Sequence, residues 1–163
     1  MAVVREADLA NALKRGRQSL RGVLVYGGDE ARVAGVVDTV VGSVAAPEDV
    51  TRLQSSALRA EPVLLDDALR AQSFLGGPQA VLVSDVGDQQ AKLVESAILV
   101  SPRGNFLVLA AGALGKSSPL RTLCEQAEDF LTVAIYEDKP SDILNLVARK
   151  LEAQGLRLSA EAA

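Results

Sequence analysis

The feature that most constrains this chain is a repeated alternation of short apolar runs with longer, helix-like stretches. The apolar runs are Gly22 to Tyr26, Val50 to Gln54, Gln79 to Ser84, Asn105 to Ala110 and Phe130 to Ile135. Runs of four to eight apolar residues, bounded by turn residues, are strand-like, and their continuity implies burial on both faces. Between them lie helical patterns. Residues 6–16 carry Leu9 and Leu13 on one face. From Asp29 to Val41, Val33, Val36, Val37, Val40 and Val41 recur at helical spacing. Pro62 opens a helix reaching Arg70, at the position where proline is tolerated. Residues 88–99 form another helix, stopped at Ser101-Pro-Arg-Gly. Ser118 and Pro119 read as cap and first residue of a further one. Strands separated by helices or long crossovers build a parallel sheet covered on both sides. The expected fold is α/β, a three-layer sandwich around a five-stranded parallel sheet.

Composition decides what such a sheet can do. The chain has 163 residues, which suits one domain of ordinary size or one domain and a fragment. Hydrophobic residues make up 48% but aromatics only 3%, so the core must be built from Val, Leu, Ile and Ala. No apolar run reaches the roughly 18–20 residues a membrane span requires. The N-terminus lacks the pattern of a signal peptide, so a cytoplasmic location is the expectation. There is no histidine, which removes Ser-His-Asp and Cys-His nucleophile arrangements and the commonest metal ligand. The one cysteine, Cys124, sits in an amphipathic helical pattern and is expected in the core. The net charge of −4 argues against general nucleic-acid binding. Lys14, Arg15, Arg17 and Arg21 form a local basic cluster. It reads as a solvated helix end, where cations suit the helix dipole, with a basic contact patch as the alternative.

A glycine turn after the first strand of a parallel sheet invites a nucleotide site. A P-loop requires G-x-x-x-x-G-K-[ST] there, to cradle phosphates and hold Mg²⁺. The turn reads Tyr26-Gly27-Gly28-Asp29-Glu30, with no Gly-Lys-Ser/Thr and with two carboxylates where phosphates would lie. Gly115-Lys116-Ser117 follows the fourth strand instead, and position 110 holds Ala110 where the motif needs glycine. Asp85 ends the third strand, but Val86 stands where a hydrolytic site would have glutamate. A phosphoacceptor receiver is the second reading, because Asp29 and Glu30, Asp85, and Lys139-Pro140 mimic its acid, acceptor and lysine order. Against it, the acids lie beyond the strand edge, Ala110-Ala111 replaces the expected hydroxyl residue, and the leading helix is foreign to it. The third feature is Gln72-Ser73-Phe74-Leu75 before Gly76-Gly77-Pro78, which forces a turn. The large apolar pair either closes the preceding helix or projects to anchor a partner.

Past Glu137-Asp-Lys-Pro-Ser the pattern changes. Ser141 is a plausible cap, with Ile143, Val147 and Leu151 one turn apart, and Gly155 is a stop. Ser159-Ala-Glu-Ala begins another helix. The expectation is a domain over residues 1–138 and the truncated start of a helical lid domain over 139–163.

Taken in order, several segments resemble one family. They are Val23-Leu-Val-Tyr-Gly-Gly-Asp-Glu, Ser73-Phe-Leu leading into Gln79-Ala-Val-Leu-Val, and Phe106-Leu-Val-Leu-Ala-Ala-Gly. Leu114, Lys116 and Ser118-Pro-Leu-Arg-Thr-Leu-Cys-Glu follow, then Ala134-Ile-Tyr and Leu151-Glu-Ala-Gln-Gly-Leu. Over about residues 20–160 the chain is similar to the delta subunit of the bacterial DNA polymerase III clamp loader. The resemblance implies an AAA+-like core of P-loop fold without a functional P-loop, no cofactor and no catalytic site of its own. It implies a role in DNA replication, binding the sliding clamp (beta subunit) and helping to open it. It assigns clamp contact to Phe74 and Leu75, with Ser73 and Gln72 as flanking polar contacts. It also implies partnership with gamma/tau and delta prime subunits, and with DNA as part of the complex, in the full-length protein.

Overall fold

The computed structural model describes residues 3–4, 8–16, 19–72, 76–100 and 105–135. Their order is β1 (Val3–Val4), α1 (Leu9–Gly16), β2 (Gly22–Gly27), α2 (Glu30–Val44), β3 (Val50–Gln54), α3 (Ser55–Ala60), α4 (Val63–Arg70), β4 (Ala80–Val86), α5 (Ala91–Val100), β5 (Phe106–Ala111), α6 (Pro119–Gln126) and β6 (Phe130–Ile135). All strand pairs are parallel, in the sheet order β1-β6-β2-β5-β4-β3. The five expected strands are all present. A two-residue sixth, β1, lies along β6 through Val3 opposite Thr132 and Val4 opposite Val133. The expected lid over 139–163 lies outside the described residues.

The sheet divides the core into two apolar layers. On one face, the valine stripe of α2 (Val33, Val36, Val37, Val40 and Val41) packs on Val23, Val25, Val108 and Val133. On the other, Leu65 and Leu69 of α4, Val94 of α5, and Leu120 and Cys124 of α6 cover Leu24, Val83, Leu109 and Phe130. Each such side chain contributes roughly 1.5–3 kcal/mol by leaving water. That is how a chain of mediocre helix formers still makes α2: tertiary burial outweighs the propensity of valine. Cys124 is fully buried in this layer. Burial, reinforced by neighbouring Glu125, pushes its thiol up to about 12. It therefore stays neutral and a poor nucleophile at physiological pH.

Two expectations change. Pro62 precedes the first residue of α4 rather than being it, and Ser55–Ala60, a stretch that carried no sequence-based expectation, forms α3 with Leu58 buried. The basic cluster is not one unit. Lys14 and Arg15 are exposed in the last turn of α1, as a solvated helix end requires. Arg17 lies outside the described residues. Arg21 is neither helical nor free. It donates to the Ile98 carbonyl at 2.7 Å and pairs with Asp129 at 3.2 Å, joining the approaches to β2 and β6. Among the described residues no helix is long and apolar enough to cross a membrane.

Candidate functional site

In a parallel α/β sheet, ligands are ordinarily held beyond the C-terminal strand ends, where helix N-termini point. The first turn there, after β2, is tight. A Cβ on Gly27 would stand 2.3 Å from the Ile135 carbonyl oxygen, so only glycine lets β2 and β6 run side by side to their ends. Asp29 then caps α2, its Oδ1 accepting from the Arg32 N–H at 3.2 Å. The helix terminus that would cradle a phosphate is thus served by the chain's own carboxylate, with Glu30 exposed beside it. The turn after β4 is closed by Gln90, whose Oε1 accepts from the Gly87 N–H at 2.8 Å. After β5, Lys116 and Ser117 form an exposed turn, and Ser118 caps α6 by accepting from the Arg121 N–H. Asp88 reinforces that cap, accepting from the Ser118 hydroxyl and the Leu120 N–H. Gly115-Lys116-Ser117 is accordingly the lead-in to a cap, as its place in the sequence suggested.

Strand order removes the receiver arrangement. Counting the five long strands in chain order, the sheet runs fifth-first-fourth-third-second. A receiver of flavodoxin-like order runs second-first-third-fourth-fifth, which places the first and third strand ends side by side. Here β5 stands between β2 and β4, so Asp29 and Asp85 do not share a cleft across neighbouring strands. Asp85 instead sits in a register shift of β4, exposed, with φ of 57°. Lys139 lies outside the described residues.

The opposite, N-terminal edge of the sheet carries the connection from α4 to β4. Ser73, Phe74 and Leu75 lie outside the described residues. Their neighbours are placed. Gln72 is exposed, Gly76 turns the chain with φ of 74°, and Pro78 is exposed before the half-buried Gln79. Both ends of this connection meet Asn105, the residue before β5. Its backbone N–H donates to the Leu69 carbonyl at 2.8 Å. Its carboxamide Nδ2 donates to the carbonyls of Ala68 at 2.9 Å and Ala71 at 2.8 Å, and to Oε1 of Gln79 at 3.1 Å. Sequence reasoning missed both Asn105 and Arg21. Their partners are 26 to 108 residues away, so no local pattern marks them.

No family model matches the chain, and no curated protein matches it in sequence. Its fold has solved counterparts. It is similar to the delta protein of the Bacillus subtilis DNA clamp loader, with a TM-score of 0.63 and 16% identity over 96% of this chain. This chain spans 50% of that protein's length. A DNA polymerase III gamma subunit-related protein of Thermotoga maritima matches with a TM-score of 0.49 and 14% identity, over 91% of this chain and 52% of that one. At this identity the likeness to the Bacillus subtilis protein establishes the fold alone, an α/β sandwich around a parallel sheet.

Proposed function

We propose that this chain is the clamp-binding part of a delta-type clamp-loader subunit, acting in DNA replication in the cytoplasm. It contacts the sliding clamp through Phe74 and Leu75, flanked by Gln72 and Ser73, and helps to open it. The gamma/tau and delta prime subunits, and DNA, are partners of the larger assembly. The observation that carries this reading is the likeness in fold to the Bacillus subtilis delta protein over 96% of the chain. The turn after β2 agrees with it. A scaffold that places Asp29 at the N-terminus of α2 has given up the phosphate cradle while keeping the sheet. The domain then works by presenting a surface, with no cofactor and no catalytic site of its own.

Two large apolar side chains at a glycine turn suit that task. Burying each against a partner contributes roughly 1.5–3 kcal/mol, enough for both to act as hot spots. The test is surface plasmon resonance against the sliding clamp of the same organism. The chain should bind, and Phe74→Ala with Leu75→Ala should weaken binding at least about 100-fold, with the circular dichroism spectrum unchanged. Wild-type affinity in that double variant would remove the assignment of the loop. Absence of binding by the unaltered chain would remove the reading itself.

A further inference from the structure

We propose that Asn105 is the positioning residue of the α4–β4 connection, one carboxamide that ties both of its ends to the start of β5. At one end the acceptors are the Ala68 and Ala71 carbonyls. These belong to the C-terminal turn of α4 and its cap, where the Ala68 carbonyl also accepts from the Ala71 N–H at 3.4 Å. At the other end the acceptor is Oε1 of Gln79, the residue before β4. The backbone strengthens the same junction. Asn105 donates its N–H to the Leu69 carbonyl, and Phe106 donates its own to the Gln79 carbonyl at 3.2 Å.

The chemistry selects asparagine. Three oxygens converge on one NH₂ group, so the side chain must be a donor of fixed, planar geometry. An aspartate of the same size would put an acceptor oxygen in place of the NH₂ group, facing three other oxygens. Gly76 is exposed at a positive φ, and open space surrounds the position its Cβ would take. Fastening both ends of a short connection lowers the conformational freedom of everything between them. A binding element held this way loses less entropy when a partner docks. The consequence for affinity rests on the clamp-binding reading above; the tie itself does not.

Hydrogen exchange and clamp binding together test this on the full chain, in Asn105→Asp, Asn105→Ala and the Phe74→Ala, Leu75→Ala double variant. The aspartate variant leaves no cavity. The alanine variant adds no charge, so it serves if the first fails to fold. Either Asn105 variant should raise exchange of the amides over residues 71–79 about tenfold or more, with β2 and β6 as protected as before. Clamp affinity should fall about tenfold, less than in the double variant, where the contact itself is removed. Unchanged exchange over 71–79 in a folded variant overturns the tie. Raised exchange with wild-type clamp affinity overturns the positioning role. Should the double variant keep its affinity, the clamp-loop reading fails, and exchange alone decides whether Asn105 holds the connection.

Discussion

The two edges of the sheet are closed by different kinds of bond. At the C-terminal edge the closures are mostly local. Asp29 bonds to Arg32, Gln90 to Gly87 and Ser118 to Arg121, each three residues away in sequence. At the N-terminal edge they are long-range. Arg21 reaches Ile98 and Asp129, and Asn105 reaches Ala68, Ala71 and Gln79. A local cap forms wherever its own helix forms, so it says little about the tertiary fold. A bond spanning 77 or 108 residues exists only once the whole sheet is assembled, and it fixes where a loop stands relative to the strands. At the edge where such sheets ordinarily bind nucleotides, the described turns are closed by their own side chains. The edge bearing the proposed contact loop has been given the ties that hold a loop in place.

The largest effect expected from breaking the comparison is at Gly27. A Cβ there meets the Ile135 backbone oxygen at 2.3 Å and the Ile135 Cβ at 2.9 Å, and neither is the tip of a flexible chain. Gly27→Ala should cost about 2–3 kcal/mol in urea unfolding, through forced separation of β2 and β6. Clamp affinity should be unaffected under conditions where the variant stays folded. A loss of affinity matching the loss in the Phe74 and Leu75 double variant would place the C-terminal edge in the interface.

Next in size is Arg21→Ala. The charged bond to the Ile98 carbonyl and the half-buried pair with Asp129 are both lost. Partial exposure of the two side chains screens the pair, so about 1–2 kcal/mol is expected. Arg21→Lys should recover only part of it, because a compact, strongly hydrated ammonium on a flexible stem lacks the rigid planar group that aims one Nη1 at both acceptors. A double-mutant cycle with Asp129→Ala separates the carbonyl bond from the ion pair.

The same division explains what was legible in the sequence. The strands β3 and β6 have the boundaries their apolar runs predict, and Ser118 caps α6 as its Ser-Pro signature requires. Those are short-range decisions. The helix Ser55–Ala60 was not legible, because a six-residue element with one buried leucine carries too little periodicity. Arg21 read as a solvated cation for the same reason that Asn105 drew no notice: their partners come from other strands and helices. Phe74 and Leu75 were legible as an unusual apolar pair beside a glycine turn, but not as exposed or buried. Pattern alone does not distinguish a helix-closing pair from a docking pair.

Asp29→Ala removes the side-chain acceptor at the N-terminus of α2 and should cost about 1 kcal/mol in stability. Because a capping carboxylate also repels phosphate, the variant sharpens the reading of this turn. If Asp29 alone excluded nucleotide, removing it would permit saturable ATP binding by calorimetry. None is expected, since the Gly-Lys-Ser/Thr of a P-loop is missing from the same turn.

The smallest expected effect has the opposite sign. Asp85 is the described non-glycine residue with a positive φ, 57°, where β4 shifts register against β5 between Val83 and Val86. Aspartate tolerates this conformation better than most residues but still at a cost, whereas glycine adopts it freely. Asp85→Gly should therefore stabilise the fold by up to about 1 kcal/mol, offset in part by the greater freedom glycine gives the unfolded chain. The thermal midpoint is the measurement, with clamp affinity as its companion. A gain in stability with unchanged affinity fits strain left at an edge that contacts nothing. A gain in stability with lost affinity would mean that the strain serves binding, and would move part of the interface to the C-terminal edge.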